Sequence, residues 1–544
     1  MSIEKLLVAN RGEIAVRVFR TCRELGIGTV AVVAPDDVGS LHERSAEESV
    51  EIASYLHSEE HIRAARKSGA DAVHPGYGFL AENADFAEAV EAAGLTWVGP
   101  SADALRLGGD KLAAKRIARE AGVPVLPDGT AEEIGFPLLV KAAAGGGGRG
   151  MRVVRSAAEL EDALEAAQRE AEGAFGDGTL YCERYLERPR HVEVQLLADA
   201  HGTVMAVGER DCSIQRRHQK VLEEAPAPGL SPALRAALHE AAVTFGEAIG
   251  YGSAGTVEFV LDGADFFFLE LNGRIQVEHP VTEAVAGLDL IAAQLRIAAG
   301  EPVATGFFEA TGHAVEVRLY AEDSRTFLPQ TGRVERLVLP SDTVSQGSIR
   351  VDAGVEEGDE VSLGYDPMIA KLIAHGRDRG EALDLLANAL AETRVEGVTT
   401  NLAFLRWLVS HPAIRAAETT TAFLTEHPPL SAQPVVRAPA AFRTPWRLNL
   451  PSPPPAPPPD IDVESQRPGA AQGESTVVAP MPGTVIRLEV AAGDAVRARQ
   501  PLVVLEAMKM EIPVHSPFEG TVKALHVAEG DRVAGGMLLV ELES

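Results

Sequence analysis

Upstream of residue 444, short apolar runs alternate with stretches whose apolar residues recur every three to four positions. Residues 5–9, 29–34 and 138–141 have the first character and predict strands, whereas 13–25 and 85–93 have the second and predict helices. The alternation predicts an α/β unit at the N-terminus with a seam near 110 and a second seam near 330. Beyond 330 the pattern gives strands and one helix around 379–393. Residues 257–261 and 266–270 flank Asp262-Gly263-Ala264-Asp265, which reads as a hairpin. A turn centred on Ala264 makes Glu258 and Glu270 cross-strand partners facing one side. From there Glu270, Asn272, Arg274, Gln276 and Glu278 alternate with Leu271, Gly273, Ile275 and Val277. A continued strand puts all five polar groups on one face.

A different pattern follows residue 450. From Pro451 to Pro459, seven of nine residues are proline, and a polar stretch runs on through Glu474. Proline at this density favours extended polyproline II, so 444–474 reads as a linker. At about 3.1 Å per residue it reaches roughly 90 Å. Beyond it lies an internal repeat: Pro480, Gly483, Thr484, Val485, Leu488, Val490, Gly493, Asp494, Val496, Leu502, Val503, Leu505 and Glu506 each recur 37 residues later. Each half alternates apolar and polar residues around a Gly-Asp turn, which predicts two related sets of short strands in an all-β sandwich. Glu506-Ala507-Met508-Lys509-Met510-Glu511 falls between the halves, where that symmetry places a hairpin.

Charge narrows the function. The chain has 544 residues, more than one core usually serves, and a net charge of −29 from 79 acidic and 50 basic side chains. The acid excess argues against nucleic acid and anionic membrane as partners. No apolar run approaches the roughly 18 residues of a membrane span, and the first residues lack the pattern of a secretory signal. Cys22, Cys182 and Cys212 are far apart, against a disulfide framework or structural zinc. A cytoplasmic, multidomain protein is expected.

Three segments hold candidate chemistry. Ala144 is followed by Gly145, Gly146, Gly147, Gly148, Arg149 and Gly150, with Lys141 just before it. Consecutive glycines let backbone N–H groups close on phosphate oxygens, although a plain hairpin tip has the same composition. Glu258 and Glu270 with the Asn272 amide suit a hard cation such as Mg²⁺ beside a nucleotide. Arg274 and Gln276 next to Glu278 suit a small oxyanion with a carboxylate available as base. The competing reading is a solvated strand face. In 209–220, Arg210, Arg216, Arg217 and Lys220 are locally basic, as an anion pocket or a surface cluster would be; Lys111 and His218 say little alone.

Together these segments resemble the biotin carboxylase component of biotin-dependent carboxylases, an ATP-grasp fold. The matching stretches are 8–15 (Val-Ala-Asn-Arg-Gly-Glu-Ile-Ala), 74–83 (His-Pro-Gly-Tyr-Gly-Phe-Leu-Ala-Glu-Asn), the glycine loop, 209–220 and 272–282. The tail resembles a biotin carboxyl carrier domain through Ala507-Met508-Lys509-Met510. The resemblance implies an α/β N-terminal domain (1–110), an ATP-grasp α+β domain (111–330), a mixed C-terminal domain (331–443), the linker (444–474) and an all-β biotinyl sandwich (475–544). It implies that Lys111, Lys141 and Gly145 to Gly148 hold ATP phosphates, that Glu183 and Leu186 meet the adenine end, and that His218 lies near the nucleotide. Glu258, Glu270 and Asn272 would bind Mg²⁺ or Mn²⁺. Lys220, Arg274, Gln276 and Val277 would hold bicarbonate, with Glu278 as its base. Arg318 would stabilise the biotin enolate, and Lys509 would carry biotin covalently.

The implied partners are a carboxyltransferase β subunit, biotin protein ligase and further copies of the carboxylase body. The short linker resembles that of short acyl-CoA carboxylase α subunits of the acetyl- or propionyl-CoA type. A methylcrotonyl-CoA carboxylase α subunit or another biotin-dependent carboxylase is the alternative, and pyruvate carboxylase is disfavoured for lack of a fused transferase. An ATP-grasp ligase of another kind leaves the tail unexplained, and a non-enzymatic carrier leaves the upstream site unexplained. Gly273 and Gly364 stand where this family usually has larger residues, which puts the metal geometry and the 364–366 turn in doubt.

Overall fold

A computed structural model of the chain describes residues 2–143, 151–175, 178–216, 219–303, 308–340, 343–344, 347–362, 364–428, 476–479, 483–507, 510–533 and 536–543. The expected linker therefore lies outside the described residues, as do the four glycines 145–148, His218 and Lys509.

The N-terminal unit is a parallel sheet ordered Glu48–Glu51, Gly28–Val33, Lys5–Val8, Ala72–His74, Thr96–Trp97. Its central strand is apolar on both faces, as a covered parallel sheet requires: Leu6 and Val8 enter one core, Leu7 and the following Ala9 the other. The helix Gly12–Leu25 starts and ends within one residue of its predicted limits, and Gly26 closes it in the left-handed conformation. A four-stranded sheet follows, ordered Asp128–Gly129, Leu180–Arg184, Leu138–Ala142, Arg152–Val154.

A nine-stranded sheet forms the centre of the body. Its order is Asp265–Asn272, Ser253–Asp262, Arg190–Ala198, Val204–Arg216, Gln219–Ala225, His313–Tyr320, Met368–Gly376, Ser348–Ala353, Thr343–Val344. The sheet runs through the seam expected near 330, because His313–Tyr320 hydrogen-bonds Met368–Gly376 along its length. On one face Val315, Val317 and Leu319 pack against Leu383, Leu386 and Leu390 of the helix Arg379–Glu392. The opposite face carries charge. Glu270 pairs across the ladder with Glu258, Glu258 with Glu193 and Glu193 with Arg210. Farther along, Glu223 opposes Glu316, Arg318 opposes Lys371 and Lys371 opposes Asp352. Except for Glu270, which is half-buried, every one of these side chains is buried.

The Glu258–Glu270 pairing is the predicted one, reached by a different route. The hairpin turns between Gly263 and Ala264, half a residue earlier than expected, and a bulge between Glu258 and Phe259 restores the register. The continued strand is not formed: Asp265–Asn272 stops at Asn272, and residues 273–278 run irregularly into the helix His279–Ala286. Gly273 passes so close to Leu105 that a Cβ there would lie 2.8 Å from its Cδ2, which explains a glycine at this bend.

The tail has two four-stranded sheets, Thr476–Val478, Leu538–Glu543, Gly520–Leu525, Ala495–Val496 and Met510–His515, Pro501–Ala507, Gly483–Leu488, Arg532–Val533. A shift of 37 residues converts one order into the other, which is the pseudo-twofold sandwich that the repeat predicts. Val485 and Val522, equivalent in the two halves, share one core with Leu505 and Leu542. Among the described residues no helix is long and apolar enough to cross a membrane.

Arg210 is fully buried and donates to Glu193 Oε1 (2.5 Å), Gln195 Oε1 (2.8 Å), Thr282 Oγ1 (2.9 Å) and Thr256 Oγ1 (3.1 Å). Arg210→Leu takes the partner from Glu193 Oε1, leaving Lys220 on Oε2, and is expected to cost about 3–5 kcal/mol in urea unfolding followed by circular dichroism. A loss below about 1 kcal/mol contradicts the assignment of Arg210 as a charge that Glu193 needs in order to stay buried.

Candidate active site

Lys220 is the knot of the site. Its ammonium donates to Glu193 Oε2, to Glu258 Oε1 (2.8 Å) and to Glu278 Oε1 (2.5 Å). Glu258 is further held by His191 (Nε2–Oε2 2.8 Å) and by Asn272 Nδ2 (2.8 Å). Gln215 steadies His191 through its other ring nitrogen at 2.8 Å. Glu278 stands immediately before the helix His279–Ala286, and its Oε2 accepts from Arg318 Nη2 at 2.9 Å. Arg274 donates to Asn272 Oδ1 (3.0 Å) and Gln276 Oε1 (3.2 Å) and pairs with Glu82 (3.1 Å).

The electrostatics follow from this packing. Burial alone would raise Glu258 and Glu278, but Lys220 with His191, and Lys220 with Arg318 and Arg210, hold both carboxylates below the usual range. Burial works against the Lys220 ammonium, and Glu193, Glu258 and Glu278 outweigh it, so Lys220 stays charged. Glu270 behaves differently: burial and the opposing Glu258 push it up, against weaker relief from Lys111 and Lys141. Two facing carboxylates, one of them relieved only in part by Lys111 and Lys141, are a fitting seat for a divalent cation, with Asn272 beside them. Two other groups have metal-like spacing, His191 with Glu193 and Glu258, and Glu193 with Cys212 and Glu278. Lys220 already bonds both glutamates of the first group and two of the three members of the second.

A second group adjoins this one. Glu183 is buried between Lys141, which pairs with its Oε1, and Lys115, 2.6 Å from its Oε2. Asp110 caps the next helix, Lys111–Glu120, by accepting from the amides of Leu112 and Ala113, and so sets Lys111 at its first turn. Burial and Lys141 lower Lys111, while Glu270 and Glu183 act against them. Past Glu183, Leu186 lines a cavity of about 500 Å³ with Ile134, Phe136, Tyr185 and Asp262. Val277 presents its carbonyl to Lys371 Nζ at 2.8 Å.

Glu258, Glu270, Asn272, Arg274, Gln276, Glu278, Lys220 and Arg318 are thus brought together, with Lys111, Lys141 and Glu183 adjoining. Gly145 to Gly148 and His218 lie outside the described residues, as does Lys509; the strands beside Lys509 pair Ala507 with Met510. Sequence reasoning missed His191, Glu193, Lys115 and Glu82, and named Arg210 only as one member of a basic run. A signal for the first two existed: His191, Glu193 and Gln195 alternate with Val192, Val194 and Leu196, which enter the core on the other side.

Residues 2–105 match the family described as "Biotin carboxylase, N-terminal domain", 110–305 "Carbamoyl-phosphate synthase L chain, ATP binding domain", 316–426 "Biotin carboxylase C-terminal domain" and 475–542 "Biotin-requiring enzyme". The mitochondrial methylcrotonoyl-CoA carboxylase subunit alpha of Arabidopsis thaliana is 48% identical over 448 residues, covering 78% of this chain and 61% of that protein. The propionyl-CoA carboxylase alpha chain of Ruegeria pomeroyi is 45% identical over 463 residues, covering 78% of this chain and 68% of its own. This chain therefore spans about three fifths to two thirds of these relatives' length. Among solved structures, the biotin carboxylase domain of Hydrogenobacter thermophilus 2-oxoglutarate carboxylase, a dimer with MgADP, ADP and bicarbonate, superposes with a TM-score of 0.76. It is 42% identical, and the match covers 79% of this chain and 98% of that one.

Lys220→Met is expected to destabilise the body more at pH 8 than at pH 5. Removing the ammonium leaves the burial of Glu258 opposed by His191 and that of Glu278 by Arg318 and Arg210, so both folded pKa values are expected to rise above their unfolded ones, and such acids favour folding only while protonated. The difference between the two pH values, read by urea unfolding, should exceed about 1 kcal/mol. An equal loss at both contradicts the ionised knot.

Proposed function

The chain belongs to the biotin carboxylase family, and on that premise we propose that it is the biotin-carboxylating α subunit of an acyl-CoA carboxylase. It spends ATP to fix bicarbonate onto biotin carried by its own tail at Lys509. The observation that carries this reading is the meeting of Glu278 with Lys220 and Arg318 in a chain that also holds the carrier repeat.

Bicarbonate is a poor nucleophile, so the site has to hold it, take its proton and keep it against the terminal phosphate of ATP. Arg274 and Lys220 supply the cations, Gln276 and the Val277 backbone complete the cradle, and Glu278 takes the proton. With its two cations in place Glu278 is a weak base. As Lys220 and Arg318 turn to substrate, the carboxylate loses the contacts that depress it and gains basicity. Attack of the bicarbonate oxygen on the γ-phosphorus breaks the bond to the β-phosphate, releases ADP and gives carboxyphosphate, a step governed by positioning and charge. Lys111, Lys141 and the glycines Gly145 to Gly148 hold the phosphates, Glu183 and Leu186 serve the adenine end, and His218 lies beside the nucleotide. Glu258, Glu270 and Asn272 would hold the divalent cation, Mg²⁺ or Mn²⁺, which when bound supplies charge neutralisation at the phosphates. Biotin, attached to Lys509 by biotin protein ligase, supplies the atom that accepts the carboxyl group, and Arg318 keeps positive charge at that end of the site.

In this reading a separate carboxyltransferase β subunit receives the carboxyl group, the carboxylase body associates with copies of itself, and the protein works in the cytoplasm. The acceptor is an acyl-CoA of the acetyl- or propionyl-CoA type, as the propionyl-CoA carboxylase relative supports. The Arabidopsis relative favours methylcrotonyl-CoA as the second choice.

Glu278→Gln is expected to lower bicarbonate-dependent ATP turnover by about 100-fold or more while ATP affinity changes by less than about threefold. Retained turnover would remove Glu278 from the role of base.

A further inference from the structure

Glu316 is the charge-bearing side chain that the site leaves unexplained. It is fully buried, and neither carboxyl oxygen has a hydrogen-bond partner. Directly across the ladder stands Glu223, also fully buried, whose Oε2 is unpartnered too. Opposed residues on antiparallel strands hold their Cβ atoms about 4.5–5.5 Å apart, close enough for two carboxyl groups to meet.

The cations around Glu316 are committed elsewhere. Arg318, two residues along the same strand, brings Nε and Nη2 to Glu223 Oε1, each at 2.6 Å, and Nη2 also reaches Glu278. Lys371, opposite Arg318, pairs with Glu13 Oε1 and donates to the Val277 carbonyl, both at 2.8 Å. Lys220 holds Glu193, Glu258 and Glu278. On the helix His279–Ala286, packed against this strand, Glu283 pairs with Arg17 and Arg350, and His279, which burial drives far down, sets Nδ1 against the Gln276 carbonyl. An ionised Glu316 would therefore be a buried charge without a counterion, which a protein avoids by neutralising the group.

We propose that Glu316 is a neutral acid whose O–H donates to Glu223 Oε2, so that the pair holds one proton and fixes Arg318 toward Glu278. One proton satisfies two orphaned oxygens at once, and the single negative charge left on the pair balances the Arg318 guanidinium. Glu316 is thus a positioning residue, acting through Glu223 on Arg318; the proposal rests on the role given to Arg318 above. The electrostatics agree. Burial, with Glu223 and Glu278 adding to it against Lys371 and Arg318, pushes Glu316 well above the carboxylate range, and burial pushes Glu223 up to about 7.

The infrared C=O stretch of a protonated carboxyl group tests this directly in the full-length chain at neutral pH. Wild type should show a band that Glu316→Gln lacks. Carboxylation of free biotin should stay within about threefold in that variant, because the amide still donates to Glu223, whereas Glu316→Leu should lose about tenfold or more. An acid raised in the folded state loses its contribution as pH climbs through its folded pKa, so Glu316→Gln should also extend activity to higher pH. No band difference, or equal carboxylation by the Leu and Gln variants, overturns the proposal. If Glu316→Leu fails to fold, the infrared comparison of wild type with Glu316→Gln decides alone. That comparison does not depend on turnover, so a wild type without biotin carboxylation but with the band would sink the proposed function and leave the shared proton standing.

Discussion

The body of this protein depends on a row of charges buried across one face of its central sheet. Carboxylates cost several kcal/mol each to take out of water, and only close, well-directed partners offset that. The partners come from far apart in sequence: Lys220 binds three glutamates from three segments, Arg210 is enclosed by four residues, and Lys371 reaches Glu13 of the N-terminal unit and the carbonyl of Val277. Register is strongly specified here, since slipping one strand by one residue would put its charges into the apolar core behind. The same constraint positions the chemistry. Glu278, Arg318 and Lys220 are aimed by one another before any substrate arrives.

What the sequence made legible was local or periodic. The helix Arg379–Glu392, the N-terminal strand and helix, the Glu258–Glu270 partnership and the two halves of the tail all follow from spacing. The candidate residues of the polar run do lie together, although the strand supposed to align them ends at Asn272. They converge because Arg274 folds back on Asn272 and Gln276, and because Glu278 starts a helix. Burial of charge was not legible. Glu223 and Glu224 are adjacent acids, yet both side chains are buried, one against Arg318 and the other between His313 and Arg379. For these two the deciding cations stand 89, 95 and 155 residues away in sequence, beyond the reach of any local pattern. The continuity of the sheet past residue 330 was hidden for the same reason.

The two modules of the chain divide the physical work. The body supplies fixed charge in a buried place, which suits a reaction whose difficulty is holding anions together and moving a proton between them. The tail supplies a small sandwich whose core, among the described residues, is drawn from the two halves of its repeat, with Ala507 and Met510 paired beside the expected attachment lysine.

The central claim is that charge chemistry in the body serves a carrier lysine on the same chain. Radiolabelled bicarbonate and ATP, added to the purified full-length chain, test it most directly. The account predicts ATP-dependent label on the wild-type protein and none on Lys509→Arg, which should still turn over ATP with free biotin. Label on Lys509→Arg equal to wild type, or ATP consumed by wild type without label on the chain, would contradict it.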